Sequence, residues 1–198
     1  MANNKDFVLN NSVEIGGSAK LTVGSSPTTG SAGYNLAGAS YDGVSFSVSS
    51  QEDLVFGLFF KHDGTKMYIV GGTNDTVYQY TLSTAFDLST ASYDSISFNV
   101  SSQASSPYGL AFNNDGTKMY VVDYDTTDSV YQYSLSTAWD VSTSSYDSVS
   151  LNVSSQDTLP FGLFFKPDGT KMYIVGGTND TVYQYSLSTA FDLSTASY

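Results

Sequence analysis

Three carboxylates that could bind a cation stand close together in the middle of the chain. Asp123, Asp125 and Asp128 lie in the stretch DYDTTD, and calcium-binding loops often carry aspartates at alternating positions. The related stretches at residues 71–75 and 176–180 read GGTND, so they lack this cluster of aspartates. DYDTTD also contains no glutamate that could bind a cation with both of its oxygens. The pattern is therefore more typical of a solvated turn than of a calcium site, and no cofactor is predicted.

Few residues are available for catalysis. The single histidine, His62, occupies a position where a related stretch has Pro167, and a position that accepts proline is a turn position. The chain has no cysteine, and no serine lies in a G-x-S-x-G elbow. The stretch GGTND lacks the lysine of a phosphate-binding loop. The sequence predicts a binding or structural protein that is not an enzyme.

The elements that position these residues are repeated. DGTKMYIVGG occurs at residues 63–72 and again at residues 168–177, and a diverged copy, DGTKMYVVDY, lies between them. A fixed period of about 52 residues indicates a repeat architecture. Aligned on the Tyr-Asp pair, the three units are residues 41–92, 93–145 and 146–197.

Each unit has the pattern of four β-strands. FGLFFK is a short apolar run, and the Asp-Gly that follows it favours a tight hairpin into KMYIVGG. TVYQYTL and SISFNVSS then alternate apolar and polar residues. Four antiparallel strands in about 50 residues match a β-propeller blade, with a β-helix as the alternative. The predicted fold is all-β, with three such blades preceded by an extended N-terminal β segment.

The tyrosines of these strands have two interpretations. Their rings can pack between blades while the hydroxyls reach the rim of the sheet. Alternatively, they form a surface on which a sugar stacks. The aspartates of the three DGTK stretches need no functional role, because hairpin geometry alone explains them.

The repeats resemble those of known structural proteins. Units of the form GLFFKPDGTKMYIVGG followed by VYQYSLSTAFDLSTAS resemble repeats of marine phage structural proteins and bacterial surface proteins. They are also similar to NHL-type and quinoprotein-like propeller blades, and the resemblance covers residues 41–198. The opening NKDFVLNNSVEIGGSAKLTVG resembles N-terminal segments of phage tail-fibre and appendage proteins.

This resemblance implies a component of a virus particle, such as a tail fibre, an appendage or a decoration protein. Residues 1–40 are then an attachment segment that binds other virion proteins. They contain too few apolar residues for a core of their own, so we expect these side chains to contact another subunit. The residues expected in this assembly contact are Phe7, Val8, Leu9, Val13 and Ile15.

Composition excludes some classes of partner. Aromatic residues make up 15% and charged residues 13% of the 198 residues, which is typical of a β-protein with many turns. The formal net charge is −12 and there is no arginine, so no nucleic-acid partner is expected. No segment approaches the apolar length of a membrane span, and the N-terminus lacks the apolar core of a signal peptide.

One face of the blades is the predicted ligand or partner face. The loop into the first strand and the loop between the second and third strands emerge on the same face of a blade. These loops carry acids and amides but no basic residues, which suits hydrogen bonding to a saccharide or to a protein. The residues are Gln51, Glu52, Asp53, Asn74, Asp75, Gln103, Gln156, Asp157, Asn179 and Asp180.

The phase of the repeat predicts how the blades close. Residues 41–50 have the letters of a fourth strand but follow no first three strands, and the last unit lacks its fourth strand. We expect residues 41–50 to pair with a third strand such as residues 182–187, in the same ring or in a neighbouring copy. Three blades are fewer than the usual minimum of about four. The preferred expectation is that the chain is part of a longer protein, because the recurring repeats leave no natural stop at Tyr198. A homo-oligomer that shares blades and an open ring are the alternatives.

Three functional classes remain. A virion protein assembles in the host cytoplasm and needs no signal peptide, so this class fits best. A cell-surface adhesin or a lectin, located at the extracellular surface, is the alternative. A propeller hydrolase or lactonase is disfavoured by the single histidine and the missing metal ligands.

Overall fold

The described residues form three β-sheets of the same design. The computed structural model describes residues 39–124 and 127–198, and each sheet contains four consecutive antiparallel strands. The only helical segments in the described residues are three 3-10 turns. This arrangement is that of β-propeller blades, so the predicted all-β fold of four-stranded blades is confirmed, whereas the predicted extended N-terminal β segment lies outside the described residues. The blades lie in one compact unit, residues 43–198.

The strands follow one another in sequence order within each blade. Blade 1 contains β1 (Val55–Phe60), β2 (Lys66–Gly71), β3 (Thr76–Leu82) and β4 (Ala91–Asn99). Blade 2 contains β5 (Pro107–Phe112), β6 (Lys118–Asp123), β7 (Ser129–Leu135) and β8 (Ser144–Asn152). Blade 3 contains β9 (Pro160–Phe165), β10 (Lys171–Gly176), β11 (Val182–Leu187) and β12 (Ala196–Ser197). The 3-10 turns are Leu88–Thr90, Val141–Thr143 and Leu193–Thr195.

The DGTK stretches form the hairpins between the first and second strands. The Asp63 carboxylate accepts hydrogen bonds from the backbone N–H of Thr65 at 3.0 Å and from its hydroxyl at 2.6 Å. Gly64 has a φ of +73°, and a Cβ there would lie 2.3 Å from the ring of Phe86. Glycine is therefore required both by the backbone conformation and by the aromatic ring. Blades 2 and 3 repeat this turn.

The fourth strand begins earlier than the alternating pattern indicated. The sequence pattern placed its start at Ser95, whereas β4 begins at Ala91. Ser95 has a φ of +60°, and the register shifts beside it, between the pairs Gln79–Ile96 and Tyr80–Tyr93. This bulge takes up the extra residues, so the segments on both sides of it pair with β3.

Neighbouring blades are joined through buried tyrosine and glutamine side chains. The Tyr68 hydroxyl donates to the carbonyl of Trp139 at 2.7 Å, and the Gln79 carbonyl accepts from the N–H of Val141 at 3.1 Å. We call the side of a blade that faces the next blade its trailing face, and the opposite side its leading face. Blade 2 repeats both bonds towards blade 3, from Tyr120 to Phe191 and from Leu193 to Gln132. Tyr68 and Tyr120 are fully buried, so these tyrosines have a packing role.

The segment before β1 corrects one expectation. Within the described residues the first strand begins at Val55, so the fourth-strand pattern at residues 41–50 does not form a strand there. The segment instead packs by its side chains on the leading face of blade 1. The ring of Phe46 lies 5.6 Å from that of Tyr80, as Phe98 lies 5.5 Å from Tyr133 between blades 1 and 2. Residues 45–48 thus occupy the place of the fourth strand of a preceding blade.

No helix within residues 39–124 and 127–198 has the length and apolar character needed to cross a membrane.

Candidate functional site

The two loops of the predicted face meet at one end of each blade. In blade 1 the Glu52 carboxylate accepts hydrogen bonds from the N–H groups of Leu54 at 3.0 Å and Thr73 at 3.0 Å. It also accepts from the N–H of Asn74 at 3.2 Å, and the Asn74 amide donates to the carbonyl of Gln51 at 2.8 Å. The loop before β1 and the loop between β2 and β3 are therefore bound to one another.

Blade 3 uses an aspartate in the same way. The Asp157 carboxylate accepts from the N–H groups of Leu159 at 2.8 Å, Thr178 at 3.2 Å and Asn179 at 3.1 Å. Burial opposes ionisation of both Asp157 and Glu52, but the backbone hydrogen bonds outweigh it and lower the pKa of each. These two predicted site residues are thus ionised anchors of the loops, and their oxygens already have partners.

Blade 2 takes its anchoring carboxylate from the other loop. Ala104 stands where Glu52 stands in blade 1, and Asp123 at the end of β6 supplies the carboxylate instead. Asp123 accepts from the N–H of Ser106 at 2.9 Å and from the N–H and hydroxyl of Thr127 at 3.0 and 2.8 Å. The residue equivalent to Asp123 in blade 1 is glycine, and a Cβ on this Gly71 would lie 2.5 Å from the Glu52 side chain.

This arrangement bears on the candidate cation site. Asp123 is engaged with the backbone, Asp128 follows Thr127 with a φ of +48°, and Asp125 lies outside the described residues. Within the part of the chain that is described, no three His, Asp or Glu residues are placed to hold a metal ion. The predicted assembly residues Phe7, Val8, Leu9, Val13 and Ile15 also lie outside the described residues.

The glutamines of the predicted face bind tyrosine hydroxyls. Tyr80 donates to Gln51 at 3.4 Å, and Tyr185 donates to Gln156 at 2.9 Å. Blade 2 repeats this contact, in which Tyr133 donates to Gln103 at 3.5 Å.

The other predicted acids differ in their surroundings. Asp53 is exposed beside Glu52. Burial, followed by the charges of Glu52 and Asp123, raises the pKa of Asp75. Asp75 and Asp180 both adopt the left-handed backbone conformation, with φ of 47° and 49°. These aspartates therefore shape the ends of their loops.

A polar groove lies beside these loops in blade 1. Its volume is about 530 Å³, and it is lined by Ser50, Gln51, Asn74, Thr76, Tyr78, Tyr93, Ser97 and Asn99. The Asn99 amide donates to the carbonyl of Asn74 at 3.0 Å and to the hydroxyl of Thr76 at 3.1 Å, which fixes one wall. The rings of Tyr78 and Tyr93 meet edge to face at 6.0 Å. The groove thus offers amides, hydroxyls and two aromatic rings.

Sequence reasoning identified only part of this groove. Gln51 and Asn74 were predicted from their loops. Tyr78 was predicted only as one of the strand tyrosines on which a sugar could stack, and Tyr93 and Asn99 were not predicted. The latter three lie on β3 and β4, and strand pairing brings them beside the loops. The alternation of the two strands was the available signal, because it places these side chains at the surface of the sheet.

A row of aromatic rings at the start of the first strands was also missed. The rings of Phe56 and Tyr108 stack at 3.7 Å, and those of Tyr124 and Phe161 stack at 5.3 Å. Phe56 and Phe161 are 37% and 39% exposed. Tyr124 stands where blade 1 has Gly72, so it adds a ring that the other blades lack. The sequence pattern had placed Phe56 and Phe161 only in short apolar runs.

His62 is exposed at the hairpin between β1 and β2, as its interpretation as a turn residue requires. Its ring lies 6.2 Å from that of Trp139, which belongs to the linker of the next blade.

Comparisons with known proteins show the fold. No protein-family profile and no curated protein matches the sequence. Among solved structures, a candidate 6-phosphogluconolactonase of Bacteroides uniformis has a TM-score of 0.53 at 12% identity, over 72% of this chain and 39% of that chain. A second, from Bacteroides fragilis, has a TM-score of 0.53 at 13% identity, over 71% of this chain and 36% of that chain.

A third similar structure is the β-propeller domain of Swd1 from Myceliophteria thermophila. Its TM-score is 0.48 at 13% identity, over 68% of this chain and 40% of that chain. The chain spans less than two-fifths of the length of the two Bacteroides proteins. The geometry of the three described blades carries the propeller assignment.

These neighbours correct the expectation that the chain is not an enzyme. Both Bacteroides proteins carry the name of an enzyme, so this fold does not exclude an enzymatic activity. The expectation rested on the absence of local catalytic motifs. That absence is a poor guide in a propeller, because side chains from separate blades can form a site that has no local motif. At 12–13% identity the likeness itself shows the fold alone.

Proposed function

We propose that this chain is a binding module of a virus particle, and that the groove of blade 1 binds a neutral saccharide of the host surface. The observation that carries the proposal is the lining of the groove by amides, hydroxyls and two tyrosine rings. Saccharide hydroxyls pair with amides and hydroxyls, and their C–H faces pack on aromatic rings. The net charge of −12 favours a neutral saccharide over an acidic one.

The virus particle enters the proposal through the sequence. The repeats resemble those of phage structural proteins, and the opening residues resemble the attachment segments of tail-fibre and appendage proteins. Residues 1–40 would bind other virion proteins, and the blades would face outward from the particle surface. Deletion of residues 1–40 should abolish incorporation into particles while the blades keep their β-sheet circular dichroism. Incorporation at the normal level would contradict the attachment role.

The groove is tested by titrating the full chain with a panel of neutral oligosaccharides and following chemical shifts by NMR. Tyr78→Phe removes one hydroxyl from the groove and should weaken binding about fivefold, since one hydrogen bond contributes about 1 kcal/mol. The matched control is Tyr131→Phe in blade 2, where the residue is only 8% exposed and its hydroxyl donates to Thr127 at 2.9 Å. No binding to any member of the panel, or equal weakening by both variants, would contradict the proposal.

A further inference from the structure

The first strand of each blade carries an aromatic residue at a bulge. In blade 1 the register of β1 and β2 shifts between Val55 and Gly57, so Phe56 has no partner residue on β2. Tyr108 and Phe161 stand at the same bulge in blades 2 and 3. A bulge redirects the side chain of its extra residue. Each blade therefore presents one ring at the end where its two loops meet, which we call the loop end.

These rings meet from one blade to the next. The rings of Phe56 and Tyr108 stack at 3.7 Å, and those of Tyr108 and Phe161 lie 5.5 Å apart. Tyr124, which follows β6, contacts Tyr108 at 4.5 Å and Phe161 at 5.3 Å. We call Phe56, Tyr108, Tyr124 and Phe161 the aromatic row. Its rings come from all three described blades.

The aromatic row lies outside the hydrophobic core. None of its four residues belongs to the clusters of buried apolar side chains in the described part of the chain. Blade 2 has a neighbouring blade on each side, yet its Tyr108 and Tyr124 are only half-buried. Because the middle blade shares this exposure, it follows from the design of the blade itself.

The loops around the aromatic row carry acidic residues and no basic ones. Within the described residues these loops contain seven acids, which are Glu52, Asp53, Asp75, Asp123, Asp128, Asp157 and Asp180. The five described lysines lie at the opposite end of the blades, which we call the hairpin end because the hairpins between the first and second strands form it. They are Lys61, Lys66, Lys118, Lys166 and Lys171. The loop end is therefore strongly negative.

No described lysine neutralises the carboxylates beside the row. The Glu52 carboxylate binds the loop between β2 and β3, and a Cβ on Gly72 of that loop would lie 3.0 Å from the ring of Phe56. Blade 3 repeats this arrangement, with Asp157 beside Phe161. The four ion pairs of the described residues involve other aspartates: Lys61–Asp63, Lys66–Asp94, Lys118–Asp147 and Lys166–Asp168. The aromatic row thus lies among uncompensated negative charges.

We propose that the loop end of the blades is a docking surface for a partner protein that presents an apolar anchor residue flanked by lysine or arginine. Aromatic residues near the centre of an interface supply much of its binding energy, and charges at the rim select the partner and speed its association. The anchor packs on the aromatic row, and the basic residues face the acids of the loops. No residue of the row lines the groove of blade 1, and docking here does not depend on what that groove binds.

Charge disfavours other occupants of this surface. Nucleic acids, acidic saccharides and anionic membranes are repelled by the acids of the loops. A second copy of the chain would offer the lysines of its hairpin end, but four of those five already pair with aspartates. The partner must therefore supply unpaired cations of its own.

Three short blocked peptides test the two parts of the surface. Lys-Trp-Lys carries both the anchor and the positive charge, Glu-Trp-Glu keeps the anchor with the opposite charge, and Lys-Ala-Lys keeps the charge without the anchor. Titrated into the full chain and followed by NMR, Lys-Trp-Lys should bind at least about fivefold more tightly than either of the others. Its chemical-shift changes should centre on the backbone amides of Gly72 and Gly177, and added salt should weaken it.

Variants of the chain locate the binding. Tyr124→Gly gives blade 2 the residue that blades 1 and 3 have at this position, and it should weaken binding of Lys-Trp-Lys at least about threefold. Asp53→Asn removes an exposed charge and should weaken it about twofold. Phe86→Leu, which removes an exposed ring at the hairpin end, is the matched control and should leave the binding unchanged. Circular dichroism checks that each variant keeps its β-sheets.

Several outcomes would overturn the proposal. These are no binding of Lys-Trp-Lys at about 10 mM, equal binding of Glu-Trp-Glu, or equal weakening by Tyr124→Gly and Phe86→Leu. Shifts centred on the row when neutral oligosaccharides are added would assign the surface to a saccharide instead. Shifts centred on the row when the chain alone is concentrated would assign it to a second copy, and either result would also overturn the proposal.

Discussion

The carboxylate that ties the two loops of each blade together comes from two different places in the chain. In blades 1 and 3 an acid before the first strand faces a glycine at the end of the second strand. In blade 2 Ala104 precedes the first strand, and Asp123 ends the second. In a blade that carried both carboxylates, the two groups would collide in this space. In a blade that carried neither, backbone N–H groups would be left without partners. The two positions therefore constrain one another.

This constraint predicts a rescue. Asp123→Gly should lower the free energy of unfolding by about 2 kcal/mol, because it removes charge-assisted hydrogen bonds to buried N–H groups. Adding Ala104→Asp should restore most of that loss, since the double variant then has the arrangement of blade 3. Urea unfolding of the single and double variants measures both effects. A double variant less stable than Asp123→Gly would contradict the conclusion that the carboxylate can be supplied from either position.

A second carboxylate links strands within a blade. Asp94 accepts hydrogen bonds from Gln79 at 2.8 Å, Thr81 at 3.0 Å and Lys66 at 3.1 Å. Burial raises the pKa of Asp94, but these bonds outweigh it, so the net shift is downward. The pKa values of Glu52 and Asp157 are shifted in the same direction. A group with a lowered pKa in the folded state stabilises the fold above its usual value of about 4 and loses this contribution as the pH falls.

The melting temperature should therefore fall as the pH is lowered from about 5 towards 2. The raised pKa of Asp75 acts in the opposite direction and offsets part of this fall. Asp94→Asn should make the pH profile shallower, because it removes one of the titrating groups that stabilise the folded state. Asp53→Asn, at an exposed position, is the control. A profile of unchanged slope for Asp94→Asn would contradict the role of this carboxylate.

At the scale of single residues, what could be predicted depended on the range of the interaction. The DGTK turn is decided within four residues, and its aspartate and glycine were predicted correctly. The role of Glu52 was not, because its partners Thr73 and Asn74 lie in another loop. The sequence of a loop does not show whether an acidic residue binds a ligand or the backbone of its own chain.

At the scale of strands, alternation predicted which elements exist but not where they pair. The sequence gives residues 41–50 the same alternation as β4 and β8. A strand also needs a neighbour that it can hydrogen-bond along its length, and within the described residues this segment packs on blade 1 through Phe46 and Val48 without forming a strand. The alternation of apolar and polar residues therefore indicates the two faces of a strand. The partner with which the strand pairs depends on the segments that lie beside it.

The packing of this segment is tested at Phe46. Phe46→Asp should lower the free energy of unfolding by about 2–3 kcal/mol, because it places a charge against the ring of Tyr80. Phe46→Leu is the matched control, since Leu151 occupies the equivalent position before blade 3, and it should cost less than about 1.5 kcal/mol. Equal stability of the Asp variant and the unaltered chain, measured by urea unfolding, would show that the segment does not pack there.

At the scale of the whole molecule, the repeat period together with the strand pattern of each unit predicted propeller blades. The period could not show that Val182 of blade 3 is exposed in the described structure while its equivalent Val77 of blade 1 is buried, because the two blades have nearly the same sequence. The groove of blade 1 escaped prediction for a related reason. Residues like those that line this groove recur in the other blades, and whether they line an open groove depends on the strands beside them.

The near-identity of blades 1 and 3 has a consequence for how the chain reaches its native state. β11 differs from the matching part of β3 only by Ser186 in place of Thr81, so either strand can add to the other blade's unfinished sheet with its side chains on the correct faces. Wrong partners of this kind trap repeat proteins during refolding. Synthesis on the ribosome avoids the trap, because the diverged blade 2 emerges before the second copy does. The chain should therefore fold more completely as it is translated than after dilution from denaturant.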